Sequence, residues 1–166
     1  MTAPRFLGTI LLALSLGACG FHLRGSYAIP PELQRLNVSA PGNSALSQPL
    51  RDALKTAGIS LDSGSYTLTL TTEKLTKQTS NTDGRAKVAE YTLLYDVRYR
   101  ISRPDDAEPA PEQKLSLRRS YQYDTTAIVG KSEEEETLIR ELYADAAQQI
   151  LRRLSFFKPA PTPSSP

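Results

Sequence analysis

The sequence predicts an α+β domain: a two-layer α/β sandwich, with two helices packed on one face of a four-stranded, mostly antiparallel sheet, in the order β-α-β-β-β-α. Three observations lead there. Ala89, Tyr91, Leu93, Tyr95, Val97, Tyr99 and Ile101 fall on one parity while Glu90, Thr92, Asp96, Arg98 and Arg100 fall on the other, the pattern of a long half-buried strand with Leu94 as its one exception. Apolar residues recur at helical spacing in two stretches, around Leu46–Ala57 and Ile139–Leu154. The three later strand-like segments are joined by links short enough for hairpins, so they form an antiparallel meander that leaves both helices to cover one face. A chain of 166 residues holds about one such domain.

The elements follow in order. Phe6 to Ala18 is uncharged, rich in Leu, Ile and Ala, and preceded by Arg5. It is shorter than the roughly 20 apolar residues a bilayer span needs, so residues 1–18 read as a secretory signal. The segment ends Leu16-Gly17-Ala18-Cys19, resembling a bacterial lipobox, with small residues before the cut and a thiol to carry the lipid. Cys19 is the only cysteine of the chain, and an unmodified lone thiol would be a reactive liability in an oxidising compartment. Cys19 is therefore the expected lipidation site and mature terminus. Gly20 follows it in place of the Asp that tends to retain lipoproteins at the inner membrane, which directs the anchor to the inner, periplasm-facing leaflet of the outer membrane.

Residues 19–31 read as a tether. The single domain is expected over 32–157, starting with a strand at Leu33 to Val38. Leu46, Leu50, Ala53, Leu54 and Ala57 mark the first helix, with Ser47 as its N-cap, Pro49 in its first turn and Gly58 at its αL end. Tyr66, Leu68 and Leu70 alternate with threonines as a strand, and the polar stretch from Lys77 to Ala86 holds the turn signal Asp83-Gly84. After the long strand, Pro104 to Glu112 is an acidic, Pro-rich connection without the spacing of a calcium loop. Leu115, Leu117, Tyr121 and Tyr123 make a further strand, whose parity Arg119 breaks, suggesting a bulge. Ser132-Glu133-Glu134-Glu135 reads as the capping box of the last helix, which runs to Leu154 with Ile139, Leu142, Ala146 and Ile150 on its apolar stripe. Residues 158–166, rich in proline, read as a disordered tail.

Composition excludes several function classes. Lys plus Arg is 20 and Asp plus Glu is 18, a balance that argues against nucleic acid as a partner. One His and one Cys exclude a zinc site built from those ligands, and His22 lies on the tether, where a catalytic group would lack rigid neighbours. No nucleophile has a base and no Gly-rich phosphate loop is present, so neither catalytic residues nor a cofactor or metal is expected and a hydrolase is remote. What remains is basic residues by position: Arg85 and Lys87 beside the Asp83-Gly84 turn, Lys131 just before the last helix, and Arg98 and Arg100 on the exposed strand face.

The opening Cys19-Gly20-Phe21-His22-Leu23-Arg24-Gly25, the entry Ala89-Glu90-Tyr91, the late Arg119-Ser120-Tyr121 and the closing helix from Glu141 to Leu154 together resemble the LPS-assembly lipoprotein LptE family. The resemblance covers nearly all of the chain after the signal. It implies a two-helix, four-strand sandwich that plugs the outer-membrane β-barrel LptD, helps that barrel assemble and binds lipopolysaccharide. It also implies that basic residues near the turn before the long strand, Arg85 or Lys87, and before the last helix, Lys131, contact lipopolysaccharide. The rival reading is a periplasmic lipoprotein adaptor of another lipid transport system.

Overall fold

The structure, a computed structural model, describes residues 28–82, 88–104, 106, 110–122 and 128–158; for 81, 82, 88, 89 and 128–132 it describes the backbone alone. After a 3₁₀ turn (Pro31–Leu33) come β1 (Leu36–Ser39), α1 (Ser47–Thr56), β2 (Tyr66–Thr82), β3 (Val88–Ser102), β4 (Gln113–Gln122) and α2 (Ile128–Leu154). The sheet order is β1-β2-β3-β4. β1 is parallel to β2, with Leu36 opposite Tyr66, and β2, β3 and β4 form the antiparallel meander. A parallel pair needs a crossover, and α1 supplies it. This is the architecture the sequence predicts.

The core lies between the helices and one sheet face. Leu93, Tyr95, Val97 and Tyr99 of β3 are buried there, as the parity requires, with Leu115 and Tyr121 of β4. Leu50, Ala53 and Leu54 of α1 and Leu142, Ala146, Ile150 and Leu154 of α2 close over them. Gly58 ends α1's cap region at φ +82°, the left-handed conformation expected there.

Five local expectations are corrected. Leu33 belongs to the 3₁₀ turn, not to a strand: Pro31 fixes a helical φ at the turn's start, and the strand begins at Leu36. Ser47 is not the N-cap of α1. Leu46 takes that position, and the hydroxyl of Ser44 accepts the Ser47 N–H at 3.1 Å. β2 does not stop near Thr72 but runs to Thr82, because its polar second half is paired along β3. A register shift between Leu70 and Thr72 reverses its parity, so that Glu73, Leu75 and Lys77 sit opposite Val97, Tyr95 and Leu93 on the helix-covered face.

The fourth correction concerns β4, which has no bulge at Arg119; its register against β3 is continuous. Arg119 faces α2, where its guanidinium pairs with Asp145 and lies 4.0 Å from Glu141. Last, α2 starts at Ile128, so the Ser132 capping box lies inside the helix and its first turn carries no acid. Gly130 disfavours helix, but propensity is a weak constraint once a long amphipathic segment packs.

Candidate functional site

Two surfaces were left for function by the fold: the sheet face away from the helices, and the sheet end where β2 stops at Thr82, β3 starts at Val88 and β4 stops with Gln122 opposite Glu90. α2 begins six positions after β4 ends, so its start belongs to this same end.

Beneath that end, on the helix-covered face, a cluster ties α2 to the sheet. Lys77 Nζ lies 2.5 Å from Glu135 Oε2, and the Tyr121 hydroxyl donates to the same oxygen at 2.5 Å. The ammonium stands 4.3 Å from the centre of the Tyr91 ring and 5.6 Å from that of Tyr121. Burial disfavours charge on Lys77, but its bonds to Glu135 and Tyr121 outweigh that and hold the ammonium above the usual lysine range. Burial likewise opposes the Glu135 charge, and Lys77 and Tyr121 outweigh it, so the carboxyl lies below its usual range. Burial, then Glu135, pushes the Tyr121 phenol up.

Because Glu135 is depressed, its contribution is complete above the ordinary glutamate pKa of 4.5 and fades as pH falls through the lower folded value. Lys77 is raised, so its share is complete below 10.5 and fades as pH rises beyond that. Glu135→Gln is therefore expected to destabilise by about 1 kcal/mol at neutral pH, a small value because Lys77 is half-exposed. Urea titrations at pH 7 and pH 3 check this. The difference from the parent should shrink at pH 3, and a difference that grows there would contradict the assignment.

The opposite face is polar, as the alternation requires. Across three strands, Thr92 shares hydrogen bonds with Ser80 and, at 2.8 Å, with Ser120; Thr92 is 4% exposed. Nearer the far end, Glu112 accepts from Thr71 at 2.5 Å and from Arg98 at 3.2 Å, with Arg100 at 4.0 Å. The Thr71 hydroxyl and then Arg98 hold this carboxyl below its usual range. Ser116 donates to Asp96, and Lys114 stands 3.8 Å from the same carboxylate. Arg98 and Arg100 are thus on the uncovered face as expected, but they share a carboxylate rather than standing alone.

Of the residues singled out from the sequence, Lys131 is placed by its backbone inside the first turn of α2, not before the helix as expected, because α2 starts earlier. Arg85 and Lys87, with the Asp83-Gly84 turn, lie outside the described residues, as do the signal segment, Cys19, Tyr123 and residues 159–166. Sequence reasoning missed Lys77. The signal that finds it is the parity reversal of β2, which alternation within β2 alone does not show.

The family model for lipopolysaccharide assembly, LptE, matches residues 33–154. The chain is 28% identical over 154 residues to the LPS-assembly lipoprotein LptE of Photorhabdus laumondii, covering 88% of this chain and 84% of that protein. It is 27% identical over 151 residues to that of Yersinia enterocolitica, covering 87% and 72%. Among solved structures, lipoprotein B from Nitrosomonas europaea superposes with a TM-score of 0.69 at 26% identity, over 82% of this chain and 90% of that one. The rare lipoprotein B of Shewanella oneidensis gives 0.64 at 27% identity, over 73% and 93%. The family match begins at Leu33, just ahead of β1, and stops where α2 stops, so every strand and helix just described falls within it, and the chain belongs to the LptE family of lipopolysaccharide-assembly proteins.

Proposed function

We propose that this chain is the outer-membrane lipoprotein of a lipopolysaccharide transport machine: anchored through an acylated Cys19, it plugs and helps assemble the LptD β-barrel and binds lipopolysaccharide on its way to the outer leaflet. Family membership carries the reading. The polar sheet face supports the plug role, since a barrel lumen is itself polar and Thr, Ser and paired charges exchange its water at little cost. The binding site is at the sheet end where β2, β3 and β4 meet the start of α2. Lys131, with Arg85 or Lys87, holds the phosphates of lipid A there by charge-assisted hydrogen bonds. The first turn of a helix adds unsatisfied N–H groups and a favourable dipole for anions.

The test is lipopolysaccharide binding by Lys131→Asp combined with Arg85→Asp, measured at two salt concentrations. Each exposed contact contributes about 0–1 kcal/mol, so single variants are mild and the double variant falls roughly tenfold or more. The double variant should keep its circular dichroism and still co-purify with the barrel from detergent-solubilised membranes. Unchanged affinity, or parental binding that ignores salt, would remove these residues from the site, and a free monomer in every membrane extract would remove the barrel partnership.

A further inference from the structure

The far end of the fold, away from the proposed lipopolysaccharide site, is where the described chain enters and where α2 leaves. Here β1 and β2 start side by side, β3 ends at Ser102, and β4 begins with Gln113 opposite Tyr99. Two contacts pin the tip of α2 to this end. Arg153 Nη1 donates to the Lys114 carbonyl at 2.8 Å, and the Phe157 ring meets the Tyr66 ring edge-on at 5.4 Å between centres. Phe157 is thereby packed. Its neighbour Phe156 is 78% exposed, the exposed large apolar side chain among the described residues.

A single exposed apolar residue is ordinary; its surroundings are what matter here. Arg152, Arg153 and Lys158, close to Phe156 along the chain, are exposed, and no acid occurs between Arg152 and Lys158. An exposed aromatic ring flanked along the chain by exposed cations has the chemistry of an interfacial contact: the ring enters the headgroup–acyl boundary and the cations meet lipid phosphates. No described helix is long and apolar enough to cross a membrane, so the contact is with a surface.

We infer that the α2 tip, Phe156 together with Arg152, Arg153 and Lys158, docks on an anionic phospholipid surface. The placement agrees with the proposed acyl anchor, on which the inference rests for orientation alone. Cys19 lies nine residues before Ala28, the first described residue, a reach of about 30 Å when extended. The anchor therefore holds this end, and not the opposite one, next to the bilayer.

The chain has no tryptophan, so Phe156→Trp in the full membrane-purified protein gives a single indole reporter at the tip. The protein is reconstituted into vesicles of phosphatidylethanolamine with phosphatidylglycerol, or of phosphatidylcholine, each with brominated acyl chains. The anionic vesicles should shift the indole emission to the blue and quench it, and high salt should weaken both effects. Each basic residue near an anionic surface contributes about five-fold to partitioning, so adding Arg152→Glu and Lys158→Glu should cut the quenching at least about three-fold. Both variants are checked for an unchanged thermal transition.

An indole that stays water-exposed in anionic vesicles overturns the inference, as does equal quenching in neutral ones. Shielding that arises only when the barrel partner is bound also overturns it and assigns the tip to a protein contact. The mass of the same preparation reports Cys19 separately. A quenched indole without acylation leaves this surface standing and sinks the anchor, and an acylated protein with an unquenched indole does the reverse.

Discussion

Gly64→Ala is expected to lower the thermal midpoint by roughly 10–20 °C, a loss of about 3–4 kcal/mol. A Cβ at Gly64 would stand 2.2 Å from the Arg35 carbonyl oxygen, 2.5 Å from its carbon and 2.6 Å from the Leu36 nitrogen. All three are backbone atoms, so no rotamer relieves the overlap and the start of β1 must move. That movement strains the bonds placing the strand: Leu36 N–H to the Ser60 carbonyl, Ser60 N–H to the Gln34 carbonyl, each 2.9 Å, and Asn37 Nδ2 to the Gly64 carbonyl at 2.8 Å. Leu36, fully buried, would shift with them. Folded domains are stable by about 5–15 kcal/mol in all, so the loss is a large share. A melting curve by circular dichroism decides it, and a midpoint within about 3 °C of the parent would refute the close approach.

Glu73→Ala is expected to destabilise by about 2–4 kcal/mol, although the residue lies on a strand of largely polar sequence. Its carboxylate accepts from the Tyr95 hydroxyl at 2.8 Å, the Ser44 hydroxyl at 2.6 Å and the Leu46 N–H at 3.2 Å. One side chain from the sheet thus caps the start of α1 and satisfies the phenol of a core tyrosine. Burial and then Glu73 push the Tyr95 phenol far above its usual range, so it stays a neutral donor at any working pH. Removing the carboxylate orphans that buried O–H together with a helix-start N–H. Tyr95→Phe in the Glu73→Ala background should restore part of the loss, because an absent hydroxyl needs no partner. Chemical denaturation of the two single variants and the double variant measures the coupling, and strict additivity would mean that the two groups do not interact.

Much of the fold was legible because most elements bury one clean face. The parity from Leu93 to Tyr99 and the stripe Leu142, Ala146, Ile150 and Leu154 are buried as the periods require. Where reading failed, contacts distant in sequence decide. The polar half of β2 carries no burial signal of its own, and the shift after Leu70 that turns Glu73 and Lys77 toward the helices depends on pairing with β3. Arg119 looked like a defect in alternation, but Glu141 and Asp145, four apart on α2, give it partners on the covered face. The first-turn position of Lys131 was hidden because the glutamates after Ser132 imitate a helix start. Arg85 or Lys87 was readable only as a charge beside a turn.

The parallel pairing of β1 with β2 also sets the order in which the chain assembles. The hairpin of β2 and β3 closes over contacts such as Ser80 with Thr92, 12 positions apart, whereas Asn37 and Gly64 are separated by 27. Closing the longer loop costs more entropy before any contact rewards it, so the meander is the faster nucleus and the first strand of the chain is among the last seated. β1, which precedes β2 and β3 in the chain, is thus expected to be seated after they have paired. β1 has no edge to pair with until the start of β2 is in place, so residues 36–39 are seated only once Tyr66–Thr69 have been added to the sheet.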